Sequence, residues 1–306
     1  MSAPTAGPAA SLLAANANAK DYSNRQGYDE KFLGTKFAVP LPAMSKATKD
    51  QIAEVQGARR AGVLDYTHFS VMLNKSRKMC FYAVVNIDGK QTKGLSKSHT
   101  WILDPRVDAD LQVGPKVYEK NDLDRGHMVR RLDPVWGDAF QIGNSDTFHF
   151  PNACPQIHKF NDGIWGELED YLLKNADVKD LKLTVFTGPI FGKDDRSYRE
   201  IQIPSRYWKV AVMVTGSGSA AKLAAAGFML SQDDLLVSFE FPLGPIPKVV
   251  TQVSIKEIEK LTGMKFGAAT KADFFAKKAA AAGVSFDLEP PVVELNSLDQ
   301  IVIPRR

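Results

Sequence analysis

The sequence predicts an α+β fold, with a central and mostly antiparallel sheet flanked by helices. Three observations lead there. Runs rich in aromatic and β-branched residues recur through the middle of the chain, as in Leu183-Thr184-Val185-Phe186-Thr187 and Tyr207 to Val214. Other stretches carry helical spacing, as in Phe160, Ile164, Leu168 and Leu172. The two kinds of segment do not alternate regularly, which argues against a doubly wound parallel sheet. No internal repeat and no break in composition calls for a second domain.

Taken in order, residues 1–20 are rich in Ala and small residues and read as a disordered tail. Residues 21–62 hold Tyr28, Phe32, Phe37, Pro40 and Pro42, expected to form an extended arm on the domain. The arm is followed by a short helix over 45–61 (Ile52, Val55, Ala58). Residues 63–306 are read as one domain. It opens with two strands, Leu64–Met72 and Met79–Ile87, joined by the basic turn Asn74–Lys78 and closed by Asp88-Gly89. Trp101-Ile102-Leu103 is a candidate short strand. Phe228-Met229-Leu230 and Val237-Ser238-Phe239 fit further strands. A capping-box pattern at Ser254-Ile255-Lys256-Glu257 starts a helix that runs to Thr262.

Composition bounds the function loosely. With 306 residues, 44% of them hydrophobic, the chain can bury a sizeable core. The 39 Lys and Arg against 35 Asp and Glu leave a net charge of +4, which permits nucleic-acid binding without predicting it. Two cysteines, Cys80 and Cys154, form no disulfide framework and are expected to be buried thiols. The N-terminus lacks a basic region and an apolar stretch of signal-peptide length, and no run of 18 apolar residues occurs. The expectation is no membrane partner, and a place in the cytoplasm or export by a route without a signal peptide.

The densest chemistry lies at Asp124-Arg125-Gly126-His127, followed by Met128-Val129-Arg130-Arg131-Leu132. A base, a cation and a flexible backbone position stand in immediate succession. Downstream come Asn152-Ala153-Cys154-Pro155-Gln156, and then Asn161 to Glu169 around Trp165. On residue type alone, Asn161 reads as a helix cap, Glu169 as a solvated charge and Asn152 as a turn residue. In this order and spacing, however, the elements resemble the DNA/RNA non-specific endonuclease family, which includes endonuclease G and bacterial nucleases. The likeness runs over roughly residues 27–270. It takes in Thr187-Gly188-Pro189-Ile190-Phe191, read as a structural strand-end turn, and Ile258 to Phe266.

The resemblance implies a ββα-metal active site and a magnesium-dependent endonuclease, with manganese able to substitute. Such an enzyme cuts DNA and RNA with little sequence preference and leaves 5′-phosphate ends. Phosphodiester hydrolysis needs an activated water and neutralisation of growing charge. His127 suits the base. Asn161 falls on the magnesium-ligand position, and one amide oxygen among waters suits magnesium better than zinc. Glu169, eight residues on, lies two helical turns away and can order water around the ion. Arg125 is placed to meet the phosphate, and Asp124, Arg130 and Arg131 are assigned to the substrate side. Asn152 joins the catalytic set, as a side chain that orders the loop. Trp136 and Phe148 are expected to pack rather than to stack on bases.

One departure stands out. Family members carry a phosphate-clamping arginine some 30 residues before the histidine. Here the region Lys97 to Arg106 has none in place, which leaves Lys97, His99 or Arg106 to substitute. That gap motivates an alternative, a nucleic-acid-binding protein on a nuclease fold with weak or lost catalysis. A homodimer and an inhibitor protein are further expected partners.

Overall fold

The computed structural model describes residues 18–95, 100–161, 166–172, 181–233, 236, 250–281, 292–295 and 300–301. At its centre is an eight-stranded sheet in the order β14-β12-β11-β10-β7-β4-β3-β2, every pair antiparallel. Its strands are β2 (Val63–Asp65), β3 (Phe69–Asn74), β4 (Met79–Asp88), β7 (Lys182–Ile190), β10 (Arg206–Thr215), β11 (Lys222–Ser231), β12 (Val250–Val253) and β14 (Val292–Leu295). β4, β7 and β10 are the apolar runs that a strand buried on both faces requires, and they form the middle of the sheet.

Side chains alternate between two cores, one on each face. Along β10, Trp208, Val210 and Val212 enter a core closed by α4 (Ile255–Thr262), α5 (Ala268–Lys271) and Phe266. Tyr207 and Ala211 enter the opposite core, shared with Leu123, Met128, Val129, Phe150, Ala153 and Cys154. That second face carries the candidate site. The remaining helices are α1 (Lys46–Lys49), α2 (Phe140–Asp146), α3 (His158–Asn161) and α6 (Phe274–Ala281); residues 166–172 are also helical. The short strands β1 (Ala43–Met44) and β13 (Met264–Lys265) pair with each other, as do β8 (Arg196–Tyr198) and β9 (Ile201–Ile203). No described helix is long and apolar enough to cross a membrane. Both cysteines are buried free thiols.

Four local expectations are corrected. The predicted strand 64–72 is broken at His68, which adopts φ 67°; Tyr66 N–H donates to Phe69 O at 2.9 Å around the kink, and the His68 ring stacks on Trp136 at 3.5 Å. The helix expected over 45–61 is helical only at Lys46–Lys49. Past it, Ala53 N–H bonds Leu73 O and Ile52 bridges Asn74, so pairing with β3 overrides helical spacing. Trp101-Ile102-Leu103 forms one isolated bridge, Ile102 with His149, instead of a strand. The expected turn at Thr187–Phe191 is still strand as far as Ile190. Gly188 there faces a contact that only glycine fits, since a Cβ would stand 2.5 Å from Phe81 O. The predicted strand 237–239 lies outside the described residues.

Tyr22 and Tyr28 are buried, Tyr22 OH meets His149 Nε2 at 2.6 Å, and Arg25 Nε donates to Asp146 at 2.9 Å. The α4 start uses half of the capping box: Ser254 Oγ accepts from Glu257 N at 3.2 Å, while the Glu257 carboxylate sits 3.9 Å from Lys260. The helix ends at Gly263 in the left-handed region (φ 70°), where a glycine costs least.

Candidate active site

Two strands and a helix build the site. β5 (Leu123–His127) pairs antiparallel with β6 (Ala153–Ile157), setting Asp124 opposite Gln156, Gly126 opposite Cys154 and His127 opposite Ala153. α3 follows β6 directly and ends at Asn161. The motif's glycine is a packing requirement, because a Cβ at Gly126 would lie 1.9 Å from Gln156 Oε1. The hairpin thus brings Asp124, Arg125, His127 and Asn161 into one small region, although 34 residues separate the histidine from the asparagine.

His127 is half-buried, its ring 4.6 Å from Trp101 and edge-on to Phe148 at 5.1 Å. Burial, and then the Arg131 charge, push its pKa down to about 3. The imidazole is therefore neutral at physiological pH. Among the described residues its Nε2 has no hydrogen-bond partner. A neutral imidazole nitrogen left unpaired in an aromatic pocket is the state a general base needs before substrate arrives.

Asn161 donates from Nδ2 to Asp124 Oδ2 at 3.0 Å, and His158 Nδ1 meets the same oxygen at 2.9 Å. A carboxylate only accepts, so it selects the amide orientation in which nitrogen faces Asp124 and Oδ1 is left for another partner. Asp124, assigned from sequence to the substrate side, is thus found orienting Asn161. The donor chemistry fits a hydrated hard cation: one amide oxygen beside the Asp124 carboxylate, with no three His, Cys, Asp or Glu converging among the described residues.

Arg125 lies over the rings of Tyr118 (5.1 Å) and Phe150 (5.9 Å), and its buried Nε has no partner among the described residues. Arg130 forms an ion pair with Asp170, and Arg131 Nη1 donates to Leu95 O at 2.9 Å. Both arginines therefore brace the loop that follows His127. Asn152 is fully buried and turned into the chain. It accepts from Val129 N (2.8 Å) and donates to Val129 O (3.0 Å) and Thr147 O (2.9 Å), while its own carbonyl takes Met128 N–H. It holds the backbone after His127 and has no access to substrate.

Glu169 is not a solvated charge; it pairs with Lys209 Nζ at 2.8 Å. Trp136 donates to Asn86 O at 2.8 Å and stacks on His68, and Phe148 is buried, so both pack as expected. Arg106 is removed from the candidates for the missing clamp. It is buried, donates twice to Asp104 (3.0 and 2.7 Å) and once to Asp65 O (2.8 Å), and lies over the Tyr22 and Tyr66 rings. Lys97 and His99 lie outside the described residues.

Sequence reasoning passed over Trp101, Gln156 and Lys209. Gln156 is fully buried with neither amide atom partnered among the described residues. Lys209 had a visible signal, a lone charge inside the apolar run Tyr207–Val214.

The chain is similar to known proteins. Residues 49–273 match the family model for DNA/RNA non-specific endonucleases. The uncharacterized protein y4fB of Sinorhizobium fredii is 38% identical over 289 residues, covering 85% of this chain and 43% of that one. A nuclease of Nostoc sp. is 26% identical over 159 residues, covering 51% of this chain and 54% of that protein. The chain thus spans about half the length of the curated relatives it matches. A chain in the crystal structure of the EndoG/EndoGI complex shares the fold, with a TM-score of 0.51 at 17% identity over 67% of this chain and 84% of that one. The chain belongs to the DNA/RNA non-specific endonuclease family.

Proposed function

We propose that this chain is a magnesium-dependent endonuclease that hydrolyses the phosphodiester bonds of DNA and RNA with little sequence preference. The observation that carries the reading is the pairing of two preset groups on one strand–strand–helix unit. These are a neutral His127 with a nitrogen unpartnered among the described residues, and an Asn161 amide whose orientation is fixed by Asp124. The ββα-metal arrangement implied by the sequence fits this unit.

Asn161 Oδ1 would hold the ion directly, and Glu169 would order water around it. Bound magnesium, or manganese in its place, supplies charge neutralisation at the phosphoryl and departing oxygens. His127 takes a proton from water. The hydroxide attacks phosphorus in line and the bond to the 3′ oxygen breaks, leaving a 5′-phosphate and, after protonation from solvent, a 3′-hydroxyl. The ribose 2′-hydroxyl takes no part, so both sugars are substrates. Arg125 contacts the phosphate, and phosphate contacts carry no base information. Activity falls as salt rises.

Plasmid, linear duplex, single-stranded DNA and RNA, each incubated with magnesium and with chelator, test the reading. All four are cut with magnesium, the products carry 5′-phosphates, and the chelator stops cutting. Cutting unaffected by chelator, or 3′-phosphate products, overturns it. The alternative, a binding module with lost catalysis, is favoured by one observation: Arg106 does not supply the missing clamp. It predicts retention of duplex without cleavage. A homodimer and an inhibitor protein belong to this proposal as expected biology.

A further inference from the structure

Lys209 sits in the middle of the central sheet, level with Thr187 of β7 and Phe228 of β11, and is 2% exposed. Alternation along β10 sends it to the same side as Tyr207 and Ala211, the face that carries the candidate site. An ammonium group in such a place is unfavourable unless it is paired and hydrogen-bonded. It is both: Nζ reaches Thr187 Oγ1 at 3.1 Å and Glu169 Oε1 at 2.8 Å.

Two segments of the site meet at this lysine. Glu169 belongs to the helical residues 166–172 that follow Asn161. Asp133 belongs to the loop that follows His127, and is buried close enough to Glu169 and Lys209 to feel both charges. On the outside of the same junction, Arg130 pairs with Asp170. The loop after the base and the helix after the metal ligand are therefore joined to each other, and both are referenced to the central strands of the sheet.

We propose that Lys209 is a positioning residue for divalent-metal binding: its ammonium fixes the place of the Glu169 carboxylate, so that this group can order the water around a cation held at Asn161. The inference rests on the nuclease reading above. Replacing a buried ion pair by apolar groups often leaves stability unchanged or raised, so stability alone gives no reason for a lysine at this position. The orientation of a carboxylate beside the cation does.

The test is a double-mutant cycle on the full chain, read by Mn2+ binding (electron paramagnetic resonance and calorimetry) and by plasmid cleavage. Lys209→Met and Glu169→Gln are each expected to weaken Mn2+ binding by about 10- to 100-fold. The double variant is expected to bind no more weakly than Glu169→Gln alone, because the lysine acts through that carboxylate. Wild-type Mn2+ affinity in Lys209→Met, or losses that multiply in the double variant, overturn the proposal. Lys209→Met leaves two carboxyl groups without their cation and could fail to fold. In that case the double variant, from which both charges of the pair are gone, is compared with Glu169→Gln, and a further tenfold loss is the overturning result. A wild-type protein that binds Mn2+ and cuts, with no effect of Lys209→Met on either, removes this inference and leaves the nuclease reading standing. A wild-type protein that neither binds Mn2+ nor cuts removes both.

Discussion

Arg106 and Arg125 both lie on aromatic rings on the same side of the sheet, and they differ in how their hydrogen bonds end. Arg106 has Asp104 on both sides of its fork, a backbone carbonyl on a third donor, and Tyr22 and Tyr66 beneath it. Asp104 is itself held below the ordinary carboxylate pKa, against the opposing effect of burial, by the Arg106 hydrogen bond and charge. Arg125 has Tyr118 and Phe150 beneath it and a buried Nε with no described partner. The first region is a closed network in which every group is answered. The second, with His127 Nε2 and Gln156 close by, contains polar atoms that nothing among the described residues answers. Leaving such atoms unpaired is unfavourable by about 1–3 kcal/mol each. Their concentration along one hairpin sets the site apart from the closed network around Arg106.

The contrast can be broken most forcefully at His127. His127→Ala should lower the single-turnover cleavage rate by about 10²- to 10⁴-fold. It should leave the melting temperature unchanged or raised, because no described hydrogen bond is lost at Nε2. A large drop in melting temperature with cleavage intact would move the histidine into the closed region. A smaller effect is expected at Asp124→Ala, which frees the Asn161 amide to flip. Mn2+ binding should weaken by about 10- to 100-fold, and unchanged binding would mean that Asp124 does not orient the ligand.

The smallest effect concerns pH and Asp133. Burial, and then the Glu169 charge, push this carboxyl up from 3.8 to about 7. Between those values the folded state keeps a proton that the unfolded chain has released. The stability contributed by Asp133 is therefore full below pH 3.8, declines as pH rises, and is lost above about pH 7. Over much of that range His127, with its depressed pKa, acts in the opposite sense. Asp133→Asn should accordingly show urea midpoints that gain on those of the wild type as pH rises from 4 to 7. A constant difference between the two would contradict the assignment.

The sequence made some of this legible and hid the rest for physical reasons. The strands β4, β7 and β10 could be read because burial on both faces demands long apolar runs. His127, Arg125 and Asn161 could be read because their order and spacing resemble a known family; on residue type alone Asn161 reads as a helix cap, and only the fold shows the hairpin that leads directly into its helix. The fate of Arg106 could not be read, since its partners Asp65, Tyr22 and Tyr66 lie 40 or more residues away and only the fold decides that it is enclosed. The role of Asn152 was half visible: its place in the motif was plain, but its burial under Val129 and Thr147 was not. Lys209 was visible as an oddity in a strand, yet its meaning depended on the register of three strands and on a helix some 40 residues earlier. The helix predicted over 45–61 stops at Lys49 because the end of β3 offered residues 52 and 53 strand hydrogen bonds.

The comparison of the two arginines is tested most directly by measuring plasmid cleavage and urea stability for Arg106→Ala and Arg125→Ala side by side. Arg106→Ala is expected to lose about 3–5 kcal/mol of stability, because Asp104 is left buried without its partner, while each folded molecule still cuts at the wild-type rate. Arg125→Ala is expected to stay within about 1 kcal/mol of the wild type, while cleavage falls by about 10²- to 10³-fold. The reverse pattern, with Arg125→Ala unstable but active and Arg106→Ala stable but inactive, would contradict the account.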